Sequence, residues 1–265
     1  MTFALPKPLR ALLLICSLVP ALSMAETANI AAASNMQFAL EEIAARFQKD
    51  TDHAPRLVFG SSGNLYRQIS QGAPFQLFLS ADEAYVQQLA AAGKTLDEGM
   101  LYGLGRIALM APKGSTLTAA GELEGLKAAL AAGRIEKFAI ANPEHAPYGR
   151  AAEQALRHAG LWEALQGKLV LGENIAQAAQ FASSGNAQGG MVAYSLALSP
   201  GVAERGEFVL IPASWHQPLR QRMVLLKGAN PAAQAFYQYL RQPAAQAIMA
   251  KYGFDMPESH LSEPQ

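Results

Sequence analysis

The sequence predicts an α/β fold with two lobes, each a mostly parallel sheet flanked by helices, joined by two crossing hinge strands. Short apolar runs alternate with segments of helical periodicity along most of the chain, which is typical of parallel sheets covered by helices. The alternation stops near the middle of the chain and then begins again. This interruption indicates that one α/β unit is inserted into another.

The first series of strand–helix units starts with the apolar run 29–33, which ends at Ser34 and Asn35 before a segment of helical spacing. Residues 56–59 and 75–79 repeat the pattern, and each run is followed by a polar turn and a helical segment. Three consecutive units of this kind predict a mostly parallel sheet with helices on both faces.

The second series follows a strand predicted at residues 107–112. Three further strands run into polar turns, and they are predicted at 138–141, 168–171 and 189–193. Residues 222–226 look like a strand that returns to the first series, and a helical region at 231–252 closes the chain.

These patterns divide the chain into three parts. We expect a signal peptide at residues 1–25, a discontinuous lobe I at 26–106 and 225–265, and lobe II at 107–224. The hinge is then expected near residues 107 and 224.

The first 25 residues have the pattern of a signal peptide. Lys7 and Arg10 precede the apolar run 11–19, and the small residues Ser23 and Ala25 stand at the −3 and −1 positions of a cleavage site. The run is too short to span a bilayer. We therefore expect cleavage after Ala25 and a soluble protein of the periplasm.

Composition narrows the possible functions. Of the 265 residues, 51% are hydrophobic and 16% charged, which argues against a disordered chain or a disulfide scaffold. The one cysteine, Cys16, lies in the predicted signal peptide, so the mature chain has no thiol for disulfides, catalysis or metal binding. Removing Lys7 and Arg10 from the 21 basic residues leaves 19 against 21 acidic ones. A net charge this close to zero gives no reason to expect nucleic acid as a partner.

Five predicted turns at strand ends share an unusual composition, because they offer hydroxyls, glycine and helix starts but few lysines or arginines. They are residues 34–35, 61–64, 142–150, 173–175 and 194–195. Ligands of open α/β sheets bind where strands end and helices begin, since the N–H groups of the first helical turn are unpaired. A fully deprotonated tetrahedral oxyanion only accepts hydrogen bonds, so a set of donors without carboxylates suits it.

The same residues have ordinary structural interpretations. Ser34 and Ser62 could be N-caps of the helices that follow them. Tyr194 could be a half-buried aromatic residue with its hydroxyl in water. His145 has no partner at metal-ligand spacing and is assigned no role.

Several longer motifs carry a resemblance to a known family. They include residues 31–34, 59–63, 72–82, 142–149, 173–175 and 251–254. Through them nearly all of the mature chain resembles the periplasmic molybdate-binding proteins of ABC importers. The resemblance implies the type II periplasmic-binding-protein fold, with molybdate or tungstate held between the lobes and delivered to an inner-membrane ABC permease. It also implies a monomer that is not an enzyme and needs no cofactor.

The resemblance further implies which residues bind the ligand, with molybdenum present only as the bound oxyanion. These residues are Ser34, Asn35, Ser62, Tyr148, Ile175 and Tyr194. The two serines are expected to donate through hydroxyl and main-chain groups, with Asn35 as a further donor. Tyr148 and Ile175 are expected to donate through main-chain N–H groups, and Tyr194 through its hydroxyl.

Two other functions compete with this one. A secreted serine hydrolase would need a Gly-x-Ser-x-Gly elbow, whereas residues 60–63 read Gly-Ser-Ser-Gly, and no histidine lies in a His-Glu-x-x-His motif. A binding protein for sulfate or another small anion is harder to exclude. Sulfate has the charge and shape of molybdate with shorter bonds, so only the size of the cavity separates the two.

Overall fold

The computed structural model describes residues 27–255. The predicted signal peptide, its cleavage site after Ala25 and the tail 256–265 lie outside the described residues. Among the helices within this range, none is both long and apolar enough to cross a membrane.

Residues 27–255 form ten strands and eleven α-helices. The strands are β1 Asn29–Ala33, β2 Arg56–Gly60, β3 Leu77–Ser80, β4 Met100–Gly105, β5 Ile107–Pro112, β6 Phe138–Ala141, β7 Leu169–Gly172, β8 Gly189–Ala193, β9 Gly206–Leu210 and β10 Leu219–Leu225. The helices are α1 Gln37–Thr51, α2 Ser62–Ser70, α3 Glu83–Ala91, α4 Glu124–Ala131, α5 Pro147–His158, α6 Trp162–Leu165, α7 Ile175–Ser183, α8 Tyr194–Ala197, α9 Pro200–Ala203, α10 Pro231–Leu240 and α11 Pro243–Lys251. A 3₁₀ turn at Ser34–Met36 joins β1 to α1.

The strands form two five-stranded sheets, which define lobe I and lobe II. The order is β2-β1-β3-β10-β4 in lobe I and β7-β6-β8-β5-β9 in lobe II. Strands β1, β2 and β3 are parallel, as are β6, β7 and β8. Strands β10 and β5 run antiparallel to their neighbours. The predicted α/β fold with two mostly parallel sheets is confirmed.

The chain crosses between the lobes twice. It crosses at Arg106, between β4 and β5, and again through residues 211–218, between β9 and β10. Because β10 pairs with β3 and β4 of lobe I, residues 219–224 belong to the lobe I sheet, whereas the sequence assigns them to lobe II. We therefore propose residues 107–218 as lobe II.

Each lobe has a core of its own that fixes the strands in the middle of its sheet. Phe47 packs edge-on against Phe236 in lobe I, with ring centroids 5.0 Å apart. In lobe II, Phe138 and Ile140 of β6 are fully buried. Since apolar burial holds the central strands rigidly, the turns at their carboxyl ends are held in fixed positions.

Candidate ligand-binding site

The carboxyl ends of parallel strands from both lobes face a common small cavity, in which about 10 Å³ is open to the centre of a water-sized sphere. It is lined by Ala33, Ser34, Asn35, Gly60, Ser61, Ser62 and Ala81 of lobe I and by Ala146, Pro147, Tyr148 and Ile175 of lobe II. Pockets for drug-sized molecules measure about 300–1,000 Å³. The cavity therefore suits a small ion better than a sugar or a peptide.

The lobes are closed over this cavity. Ser34, Asn35, Ser62, Tyr148 and Ile175 are each no more than 4% exposed. A ligand held by them is shielded from water, which strengthens every hydrogen bond that it accepts.

Five main-chain donors surround the cavity. Ser62, Tyr148 and Ile175 lie in the first turns of α2, α5 and α7, and Ser34 and Asn35 open the 3₁₀ turn after β1. No loop carbonyl within residues 27–255 accepts a hydrogen bond from any of these five N–H groups. Helix starts favour anions because these N–H groups carry partial positive charge.

Two hydroxyl groups add to these donors. Ser62 Oγ accepts a hydrogen bond from the Ala81 N–H at 2.9 Å, and Ser34 Oγ accepts one from the Ala176 N–H at 3.3 Å. Neither hydroxyl donates to any acceptor in the described part of the chain. Because each oxygen is already an acceptor, its own hydrogen is available to a ligand.

The capping interpretation of these two serines is wrong. The N-cap of α2 is Ser61, whose Oγ accepts a hydrogen bond from the Asn64 N–H at 3.4 Å. The 3₁₀ turn that begins at Ser34 has no side-chain cap. The cap thus falls one residue earlier than Ser62, which leaves the Ser62 hydroxyl free of that role.

The cavity lining carries no charged side chain among the described residues. Arg150 lines a neighbouring hollow, but its Nη2 lies 2.6 Å from Asp82 Oδ2 and its Nη1 donates to Tyr85 Oη at 3.2 Å. The arginine belongs to lobe II and its two partners to lobe I. Its positive charge is therefore engaged in an ion pair between the lobes.

Tyr194, whose hydroxyl is expected to donate to the ligand, is not among the residues that line the cavity. Its ring packs edge-on against Phe208, with centroids 5.9 Å apart, and against Gly253. Tyr194 is the first residue of α8, directly after the end of β8.

Two residues at the lobe interface carry contacts that sequence reasoning missed. His145, which is only 6% exposed, lies with its Nδ1 2.9 Å from Ser61 Oγ. The Ser195 hydroxyl donates to the Asn35 carbonyl at 2.8 Å. Both contacts join residues at least 84 positions apart, so no local pattern in the sequence could indicate them.

Comparison with known proteins is consistent with this geometry. The family of bacterial extracellular solute-binding proteins matches residues 28–255. The molybdate-binding protein ModA of Azotobacter vinelandii is 37% identical over 262 residues, which is 97% of this chain and 100% of that protein. ModA of Rhodobacter capsulatus is 36% identical over 255 residues, which is 94% of this chain and 97% of that protein.

A solved structure of a molybdate-binding protein is also similar to this chain. The periplasmic molybdate-binding protein of Azotobacter vinelandii superposes with a TM-score of 0.79 at 32% sequence identity. The match covers 87% of this chain and 100% of that chain. The similarity therefore extends over both lobes.

Proposed function

The chain belongs to the family of bacterial extracellular solute-binding proteins, and on this premise we propose that it binds molybdate between its lobes for delivery to an ABC importer. The relatives named above are molybdate-binding proteins of similar length. They are solute-binding proteins and not enzymes, and the chain is not an enzyme either.

We propose that the ligand is gripped by seven hydrogen-bond donors. They are the hydroxyls of Ser34 and Ser62 and the main-chain N–H groups of Ser34, Asn35, Ser62, Tyr148 and Ile175. A hydrogen bond to a charged group contributes about 1.5–3 kcal/mol. Their sum, about 10 kcal/mol or more before the cost of closure, is compatible with roughly sub-micromolar binding.

A site made of hydrogen-bond donors also supports selectivity for a dianion that carries no proton. A protonated anion such as phosphate would place its O–H against another donor, and the described lining offers no carboxylate to accept it. Molybdate and tungstate carry no proton at neutral pH and have the same shape, so tungstate is proposed as a second ligand.

Delivery of molybdate is proposed to depend on closure of the two lobes about the hinge. The lobes are joined through Arg106 and residues 211–218, and the donors come from both lobes. A dianion that bridges them binds the closed form more tightly and so shifts the population toward it. We propose that the protein works as a periplasmic monomer and presents its closed form to an inner-membrane permease.

The observation that carries the proposal is the set of main-chain and hydroxyl donors around a cavity whose described lining includes no charged side chain. A thermal-shift titration with molybdate, tungstate, sulfate and phosphate in parallel tests it, because a ligand that binds only the folded protein raises its melting temperature. We expect large shifts with molybdate and tungstate, a smaller one with sulfate and none with phosphate. A shift with sulfate alone, or with phosphate alone, would overturn the assignment.

A further inference from the structure

A buried glutamine, Gln221, joins the two halves of the candidate site through its side-chain amide. Its Oε1 accepts hydrogen bonds from Tyr102 Oη at 2.8 Å and from Asn35 Nδ2 at 3.0 Å. Its Nε2 donates to Tyr148 Oη at 3.0 Å. Asn35 belongs to lobe I and Tyr148 to lobe II, so one amide contacts a cavity-lining residue on each side.

The backbone around Gln221 is adapted to this placement. The pairing of β10 with β4 shifts register between Gln221 and Arg222, and such bulges re-aim side chains. On the facing strand stands Gly105, where a Cβ would overlap both Gln221 Nε2 and Tyr148 Oη. The irregular pairing and the missing side chain together make room for the amide between the lobes.

The hydrogen bond between Gln221 and Tyr148 joins the two lobes in this closed form, because the two residues lie on different lobes. Gln221 is 0% exposed and Tyr148 2% exposed, so their hydrogen bond is shielded from water. Burial raises the pKa of the Tyr148 hydroxyl above its usual value, although the hydrogen bond from Gln221 lowers it. The hydroxyl therefore stays neutral at physiological pH and can accept the amide hydrogen.

We propose that Gln221 is a positioning residue that couples the seating of Asn35 and Tyr148 to closure of the lobes. This inference rests on the proposed molybdate function. In that function molybdate contacts the main-chain N–H groups of Asn35 and Tyr148, whereas Gln221 contacts their side chains. Gln221 thus acts on the ligand through them and prolongs the closed complex.

A double-mutant cycle tests the coupling. Gln221→Met keeps the volume but removes the hydrogen bonds, and Tyr148→Phe removes only the hydroxyl on lobe II. The affinity for sodium molybdate is measured by calorimetry and the dissociation rate by stopped flow. Tyr148→Phe alone is expected to weaken binding about threefold to tenfold, mainly through faster dissociation, which is the effect of one neutral hydrogen bond.

Coupling through this hydrogen bond and a merely structural effect of the substitutions predict different affinities for the double variant. In the Gln221→Met background, Tyr148→Phe is expected to cause no further loss of affinity, because the bond is already absent. A multiplicative loss in the double variant would overturn the proposal. So would unchanged affinity in Tyr148→Phe, a result that remains readable even where Gln221→Met folds poorly.

The control variant is Tyr194→Phe, which removes a tyrosine hydroxyl outside the cavity. Failure of the proposed function is distinguishable from failure of this inference. In the first case the unmodified protein does not bind molybdate at all. In the second it binds molybdate, and the Gln221 and Tyr148 variants bind it independently of each other or as tightly as the unmodified protein does.

Discussion

His145 of lobe II receives two contacts from the start of α2 in lobe I. Its Nδ1 lies 2.9 Å from Ser61 Oγ, and its carbonyl oxygen accepts a hydrogen bond from the Gly63 N–H at 3.0 Å. His145 Nε2 lies 3.7 Å from Glu173 Oε2 on the same lobe. These contacts join the lobes beside the cavity, and they place no charged side chain in its lining.

The close approach at Gly63 predicts that a methyl group there hinders closure. A Cβ would lie 2.6 Å from the His145 carbonyl oxygen and 2.8 Å from Tyr85 Oη. We expect Gly63→Ala to weaken molybdate binding by about 1–3 kcal/mol, the usual cost of overpacking, as measured by calorimetry. The control is Gly201→Ala, because a Cβ at Gly201 meets no atom within 4 Å. Equal affinity in the two variants would show that closure does not need the glycine.

Removing the hydroxyl of Tyr194 is expected to leave molybdate affinity unchanged. The ring packs against Phe208 and does not line the cavity, so Tyr194→Phe removes no donor to the ligand. A calorimetric titration checks this. A tenfold or larger loss of molybdate affinity would show that the Tyr194 hydroxyl does contribute to binding.

The ion pair of Arg150 and Asp82 predicts opposite effects of removing its two partners. Both side chains are about one third exposed, so the pair itself contributes roughly 0.5–1 kcal/mol. Arg150→Gln leaves an unpaired carboxylate in the hollow beside the cavity, which is expected to slow molybdate association. Asp82→Asn leaves a cation there and is expected to speed it.

Salt separates this electrostatic effect from a structural one. The difference in association rate between the two variants should shrink between about 0.01 and 1 M ionic strength, because the Debye length falls from about 30 to 3 Å. A difference that is independent of salt in stopped-flow measurements would contradict the electrostatic explanation.

His216, in the second crossing segment, predicts a dependence of stability on pH. Burial lowers the pKa of its imidazole, the carbonyl of Gln217 raises it and the charge of Arg106 lowers it further. The folded protein therefore binds a proton less readily than the unfolded chain does. The free energy of unfolding should fall as the pH drops below about 6.5, the unfolded value, toward the lowered folded pKa.

Denaturant unfolding of the ligand-free protein between pH 7 and pH 5 measures this effect. His216→Gln removes the titrating group and should flatten that part of the profile. If the variant and the unmodified protein lose stability in parallel, His216 is not the cause.

The sequence predicts eight of the ten strands within residues 27–255, and the two that it misses have physical reasons. Strand β4, Met100–Gly105, contains two glycines, which weaken the apolar pattern because they have no side chain. Strand β9, Gly206–Leu210, begins with Gly206 and the charged Glu207, neither of which continues an apolar pattern. Local patterns are weakest for such strands.

The candidate site was predictable only where it depends on strand ends. Strand ends predict the turns, the family resemblance implies Ser34, Asn35, Ser62, Tyr148 and Ile175 within them, and these five line one cavity. Contacts made by closure, such as those of His145 and Gln221, join residues far apart in the chain. Such contacts depend on the relative position of the lobes, which no local pattern specifies.

The central claim is that two serine hydroxyls from lobe I donate to a bare dianion. Calorimetric titration of Ser34→Ala and Ser62→Ala with molybdate tests it most directly, with the exposed Ser184→Ala as the control. Each of the first two variants should bind about 1–3 kcal/mol more weakly than the unmodified protein, and the control should match it. Unchanged affinity in both Ser34→Ala and Ser62→Ala would contradict the claim.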